Sequence, residues 1–181
     1  MARSTPDYPI SGDWNEFERL CRALQSEVRG VKFQRWGEQD HRENGADAWA
    51  MQPNGRALVL QCKGRSRSFG KSLSLANLDA AVREIDTFPH PVEELIILTT
   101  TPDNANLLSH ATRLSKQRAE LGQSRVSVHG WNSICTQIQQ HQPIRNAYFR
   151  PWLLRRPWWQ WLLLAIAIAV MALAYQAIKS A

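Results

Sequence analysis

Three polar side chains in one short stretch could do chemistry together: Asp47, Gln61 and Lys63. The stretch from Asp47 to Lys63 reads as two β-runs flanking Gln52-Pro53-Asn54-Gly55. Asn-Gly is a strong hairpin signal, because both residues tolerate the positive φ of a type I′ turn. In the second run Leu58, Leu60 and Cys62 alternate with Val59, Gln61 and Lys63. A strand has period two, so Gln61 and Lys63 share a face. The hairpin can also bring Asp47, at the start of the first strand, beside the end of the second. An acid, an amide and a lysine at one end of a sheet could hold a divalent metal ion and a phosphate.

Other elements must position these residues. Asp13 to Arg29 reads as a first helix, with Asp13 and Glu16 spaced as a capping box and Gly30 as its stop. Trp14, Phe17, Leu20, Cys21, Leu24 and Val28 form its apolar stripe. Glu16 and Glu18 lie on opposite edges of that stripe, and helical geometry does not choose which one reaches a cleft. Val31 to Trp36 alternates as a strand, and the polar stretch 37–45 reads as a loop. Leu75, Leu78, Val82 and Ile85 have helical spacing within 75–88. Leu95-Ile96-Ile97-Leu98 is a continuous apolar run, as in a strand covered on both faces. A helix over 104–121 follows, then a short strand at Val126 and Val128, then a helix over 131–141. The order α-β-β-β-α-β-α-β-α predicts an α/β fold with a mixed sheet flanked by helices.

The chain of 181 residues carries a formal net charge of +6, which favours an anionic partner. Charge alone does not choose between nucleic acid and phospholipid. Cys21, Cys62 and Cys135 have neither zinc-ligand nor disulfide-framework spacing, and each sits in an apolar pattern. Gly64-Arg65-Ser66-Arg67-Ser68-Phe69-Gly70-Lys71-Ser72 looks superficially like a phosphate loop, but a Walker A motif needs one residue fewer between its glycines, so an NTPase is excluded. What remains is a basic loop whose Arg65, Arg67 and Lys71 are candidates for nucleic-acid backbone contacts.

Residues 1–12 lack the apolar core of a signal peptide and read as a tail. The other end is expected to be a membrane anchor. Trp158 to Ile178 contains no charged residue, and its length of about 21 residues matches a hydrocarbon core. Trp158, Trp159, Trp161 and Tyr175 sit where interfacial aromatic belts belong. Arg145, Arg150, Arg155 and Arg156 precede the segment and only Lys179 follows it, so the N-terminal part is expected to be cytoplasmic. The resulting division is a folded domain at 13–141, a basic linker at 142–157, a transmembrane helix at 158–178 and a translocated tail at 179–181. The expected location is the inner (cytoplasmic) membrane, with the lipid bilayer as one partner.

With these residues laid out, the chain resembles the Mrr-type restriction endonuclease domain of the PD-(D/E)XK nuclease superfamily. Phe17-Glu18-Arg19-Leu20 is similar to the first-helix motif, Gly45-Ala46-Asp47 to the motif opening the second strand, and Gln61-Cys62-Lys63 to the Gln-x-Lys variant ending the third. The resemblance covers about residues 13 to 141. It implies a restriction-endonuclease-like αβββαβ core and selects Glu18 over Glu16. It further implies a DNA endonuclease in restriction or anti-phage defence, acting as a homodimer if it cuts both strands, with defence-system partner proteins. On this resemblance Asp47 is the main ligand of Mg²⁺ or Mn²⁺, the Gln61 carbonyl a neutral second, and Glu18 a further carboxylate. Lys63 orients or helps deprotonate the attacking water. Gln61 in place of a carboxylate lowers the negative charge and is expected to weaken metal binding. Two alternatives stay open: a catalytically inactive module that tethers nucleic acid or a partner protein, and a membrane-assembly protein whose basic domain touches anionic headgroups.

Overall fold

A computed structural model describes residues 8–37, 45–64 and 73–149. Arg65, Arg67 and Lys71, the expected membrane span at 158–178 and the tail at 179–181 lie outside the described residues. Among the described residues no helix is long and apolar enough to cross a membrane.

The chain forms a mixed α/β structure. Helix α1 spans Trp14–Arg29, followed by strands β1 (Gln34–Arg35), β2 (Ala48–Met51) and β3 (Ala57–Lys63). Then come α2 (Leu75–Ile85), β4 (Val92–Thr99), α3 (Ala105–Glu120), β5 (Arg125–His129), α4 (Trp131–Gln140) and α5 (Gln142–Phe149). The five strands lie in sequence order across one sheet. β1, β2 and β3 pair antiparallel, whereas β3–β4 and β4–β5 pair parallel, with α2 and α3 as the crossovers. Parallel strands need such crossovers, which leave helices on the faces of the sheet.

Burial follows from that layering. β3 and β4 are buried along nearly their whole length because both faces are covered. Val59, Leu95, Ile97, Val126 and Val128 pack with Leu78, Ala81, Val82 and Ile85 of α2 and Leu107 and Ala111 of α3. Helices α1 and α4 also pack against the sheet and against each other. Arg29 at the end of α1 is tied to the Glu94 carboxylate of β4 at 3.0 Å.

Local chemistry sets the element ends. Ser74 caps α2 in a reciprocal box, its hydroxyl accepting from Asn77 N–H (3.1 Å) while the Asn77 side chain accepts from Ser74 N–H (3.2 Å). Asp13 caps α1 by accepting from Asn15 N–H at 2.9 Å. Glu16 does not complete the expected box, because its carboxylate accepts instead from the Ser11 hydroxyl. Of the expected α1 stripe, Trp14 and Val28 are only half-buried, and polar Gln25 is fully buried in their stead.

Three expectations shift. The strand over 31–36 shrinks to two residues, since Phe33 N–H bonds the Ser26 hydroxyl of α1 (3.0 Å) rather than a neighbouring strand. The hairpin turn sits one residue earlier than a type I′ turn on Asn54-Gly55. Gly55 N–H bonds the Gln52 carbonyl at 3.0 Å, which centres the turn on Pro53-Asn54 and leaves Gly55 at φ 78°. Proline presets the φ that the first central position of such a turn requires. Finally, the stretch read as a linker from residue 142 begins with α5, which buries Ile144.

Candidate functional site

β3 ends in Gln61-Cys62-Lys63, beside the start of β2. Ala48 is in register with Leu60, so Asp47 lies at the level of Gln61. Asp47, Gln61 and Lys63 line a single cavity of about 570 Å³, together with Gly45, with Arg83 and Glu84 from the last turn of α2, and with Thr87 just beyond it. The convergence expected from strand alternation is therefore present. It lies on the sheet face covered by α2, since Val59, two residues earlier on β3, packs against that helix.

Backbone contacts hold the acid and the amide. The Asp47 carboxylate accepts from Cys62 N–H at 2.6 Å. Its own N–H bonds the Leu60 carbonyl at 2.9 Å, and its carbonyl takes Trp36 N–H at 3.1 Å. Gln61 is 3% exposed, and its Nε2 donates to the Gly45 carbonyl at 2.5 Å. A carbonyl can only accept, so the amide nitrogen must face Gly45 and the oxygen must turn away. That oxygen is buried and has no hydrogen-bond partner among the described residues.

Gly45 has φ 65°, a left-handed conformation that favours glycine. A Cβ there would collide with the Glu84 carboxylate and lie 2.8 Å from Gln61 Nε2. The absence of a side chain is what lets both groups approach.

Glu18 is placed differently. It is not among the residues lining the cavity, and its carboxylate accepts from the Trp14 indole N–H one helical turn earlier. It lies close enough to influence Cys62, whose thiol is pushed well above its ordinary pKa. The largest cause is a side-chain hydrogen bond with Cys21, followed by burial, with the Asp47 and Glu18 carboxylates adding to it. Cys62 is thus a buried neutral thiol, not a nucleophile.

Among the described residues no three His, Cys, Asp or Glu side chains form a metal-binding group. The cavity offers two carboxylates and an amide oxygen. That set still suits Mg²⁺, which is often bound by one or two carboxylates and keeps several waters. The unpartnered Gln61 oxygen is a ready neutral donor. Lys63 and Arg83 supply positive charge on the same walls.

Arg83, Glu84 and Thr87 were not singled out in the sequence. All three are exposed at the cavity rim, and nothing in the α2 periodicity separates them from ordinary surface residues. No protein-family model matches the chain, and no curated protein shows significant similarity to it.

Proposed function

We propose that this protein is a divalent-metal-dependent DNA endonuclease of restriction-endonuclease-like fold, acting in restriction or anti-phage defence. We also propose that its C-terminal segment holds it at the cytoplasmic face of the inner membrane. One observation carries the reading: Asp47, Gln61 and Lys63 line one cavity at the end of β3, in a chain whose elements begin in the order αβββαβ.

Bound Mg²⁺ or Mn²⁺ would neutralise charge on the scissile phosphate and acidify a water. Asp47 and the Gln61 oxygen would hold it. Cys62 N–H fixes the orientation of the Asp47 carboxylate, and the Gly45 carbonyl fixes that of the Gln61 amide. Lys63 orients the attacking water through its ammonium and offsets the charge that develops as the P–O bond breaks. Arg83, exposed at the rim, is placed to meet a neighbouring phosphate.

The test is cleavage of supercoiled plasmid by the purified full-length chain with Mg²⁺ or Mn²⁺. Asp47→Ala and Lys63→Ala are each expected to lower the rate by about 10²-fold or more. A folded chain inert with both metals, or variants that cut at the wild-type rate, would refute the reading. The small number of carboxylates favours one second reading, a non-catalytic module that grips DNA. DNA binding with a steep salt dependence and no cleavage would support it.

A further inference from the structure

We propose that Glu84, in the last turn of α2, is the second carboxylate of this site and binds the divalent cation together with Asp47 and the Gln61 carbonyl. The inference rests on the metal-dependent reading above and assigns a ligand that the sequence motifs did not include.

Glu84 lines the same cavity as Asp47, Gln61 and Lys63, whereas Glu18 does not. The Glu84 carboxylate reaches over Gly45 to the spot where a Cβ would stand, and Gln61 Nε2 lies 2.8 Å from that spot. A helix-borne acid and a strand-borne amide therefore meet around one glycine α-carbon.

Among the described residues the buried Gln61 oxygen has no partner, and such an acceptor costs about 1–3 kcal/mol unless a donor or cation satisfies it. Its nitrogen is already committed to the Gly45 carbonyl, so flipping the amide would set oxygen against oxygen. Asp47, Gln61 and Glu84 line the same cavity, and a hard cation is the ligand class that two carboxylates and an amide oxygen in one cavity would take.

Among the described residues no salt bridge engages Glu84. Position 61 carries a neutral amide. Glu84 restores from α2 the negative charge that β3 lacks.

The experiment is Mn²⁺ titration of the full-length chain in detergent without DNA, reading the free-ion EPR signal. Wild type binds Mn²⁺, Glu84→Gln weakens binding about tenfold or more, and Glu18→Gln changes it less than about twofold. Equal affinity of folded Glu84→Gln and wild type overturns the assignment, as does a loss that falls on Glu18→Gln instead. If Asp47→Asn abolishes binding while Glu84→Gln does not, the metal-dependent reading stands and the Glu84 assignment fails. If wild type takes up no Mn²⁺, both fail together. Should Glu84→Gln not fold, Glu84→Asp decides. Its carboxylate is one methylene short, so reduced affinity supports the assignment and unchanged affinity overturns it.

Discussion

Replacing Gln61 by glutamate tests the geometry of the site most directly. The substitution nearly preserves volume but removes the Nε2 donor that holds the Gly45 carbonyl at 2.5 Å. When ionised, the introduced carboxylate would set an oxygen against that carbonyl, in a position now 3% exposed, with Asp47 and Glu84 on the same cavity wall. Losing a neutral hydrogen bond costs about 1 kcal/mol, and leaving a buried group unsatisfied adds about 2 kcal/mol. A loss of about 3 kcal/mol at pH 8 is therefore expected for metal-free Gln61→Glu. In acid the group is neutral and can donate its proton to Gly45, so the loss shrinks to about 1 kcal/mol or less. The sign follows from linkage. A carboxyl harder to ionise in the folded than in the unfolded state contributes its stability in acid and loses it as pH rises.

The assay is thermal melting of Gln61→Glu and wild type from pH 5 to pH 8, with and without Mn²⁺. For a domain of this size, about 3 kcal/mol corresponds to a fall in Tm on the order of 10 °C. Mn²⁺ should raise the Tm of the variant more than that of wild type at pH 8, because the cation binds only the folded state and now meets an extra charge. A Tm within experimental error of wild type at both pH values, with no extra Mn²⁺ response, would refute the described packing of Gln61 against Gly45.

Two further outcomes are expected. Gly45→Ala should destabilise by about 2 kcal/mol in urea titration, with about 1 kcal/mol from the positive φ and the rest from crowding Gln61 and Glu84; a smaller loss with unchanged Mn²⁺ affinity would show that the glycine does not shape the site. His129 accepts from Gln137 Nε2 at 3.3 Å, and its pKa is lowered mainly by burial and further by Arg29, against smaller opposite effects of Glu94 and Asp103. Because the folded state resists protonation, stability should be complete above the ordinary histidine range and fall as pH drops through it; His129→Phe should flatten that part of the Tm profile.

The order of elements up to α4 was legible because each carries its own period. Leu78, Val82 and Ile85 mark a helix, and Leu95 to Leu98 mark a doubly covered strand. Errors arose where local signals competed. Asn54-Gly55 suggested a two-residue turn, but Pro53 ahead of it fits the first central position better and moved the turn. The prolines and arginines of 142–157 suggested a linker, yet Pro143 is tolerated in a first helical turn, where its missing N–H would have no helical partner anyway. Phe33 looked like a strand residue, but its N–H belongs to Ser26.

The site was legible only along the strand. Alternation places Gln61 and Lys63 on one face, and the hairpin brings Asp47 to them. It says nothing about which helix end covers that face. Glu18 and Glu84 are equally plain carboxylates in the sequence, and only the packing of α2 near Gly45 separates them.

That packing gives the amide at position 61 a task a carboxylate could not perform. Its nitrogen pins the Gly45 carbonyl, and the pinned glycine, lacking a Cβ, leaves the gap that Glu84 enters. An acid at position 61 would repel both the carbonyl and Glu84. Charge on β3 and charge on α2 are therefore alternatives and not additions. In this chain the neutral residue on the strand and the acid on the helix form one arrangement. The double variant Gln61→Glu/Glu84→Gln, which moves the charge between the two elements, should bind Mn²⁺ more tightly than Glu84→Gln alone. Equal affinities of the double and single variants would separate the two positions and end the argument.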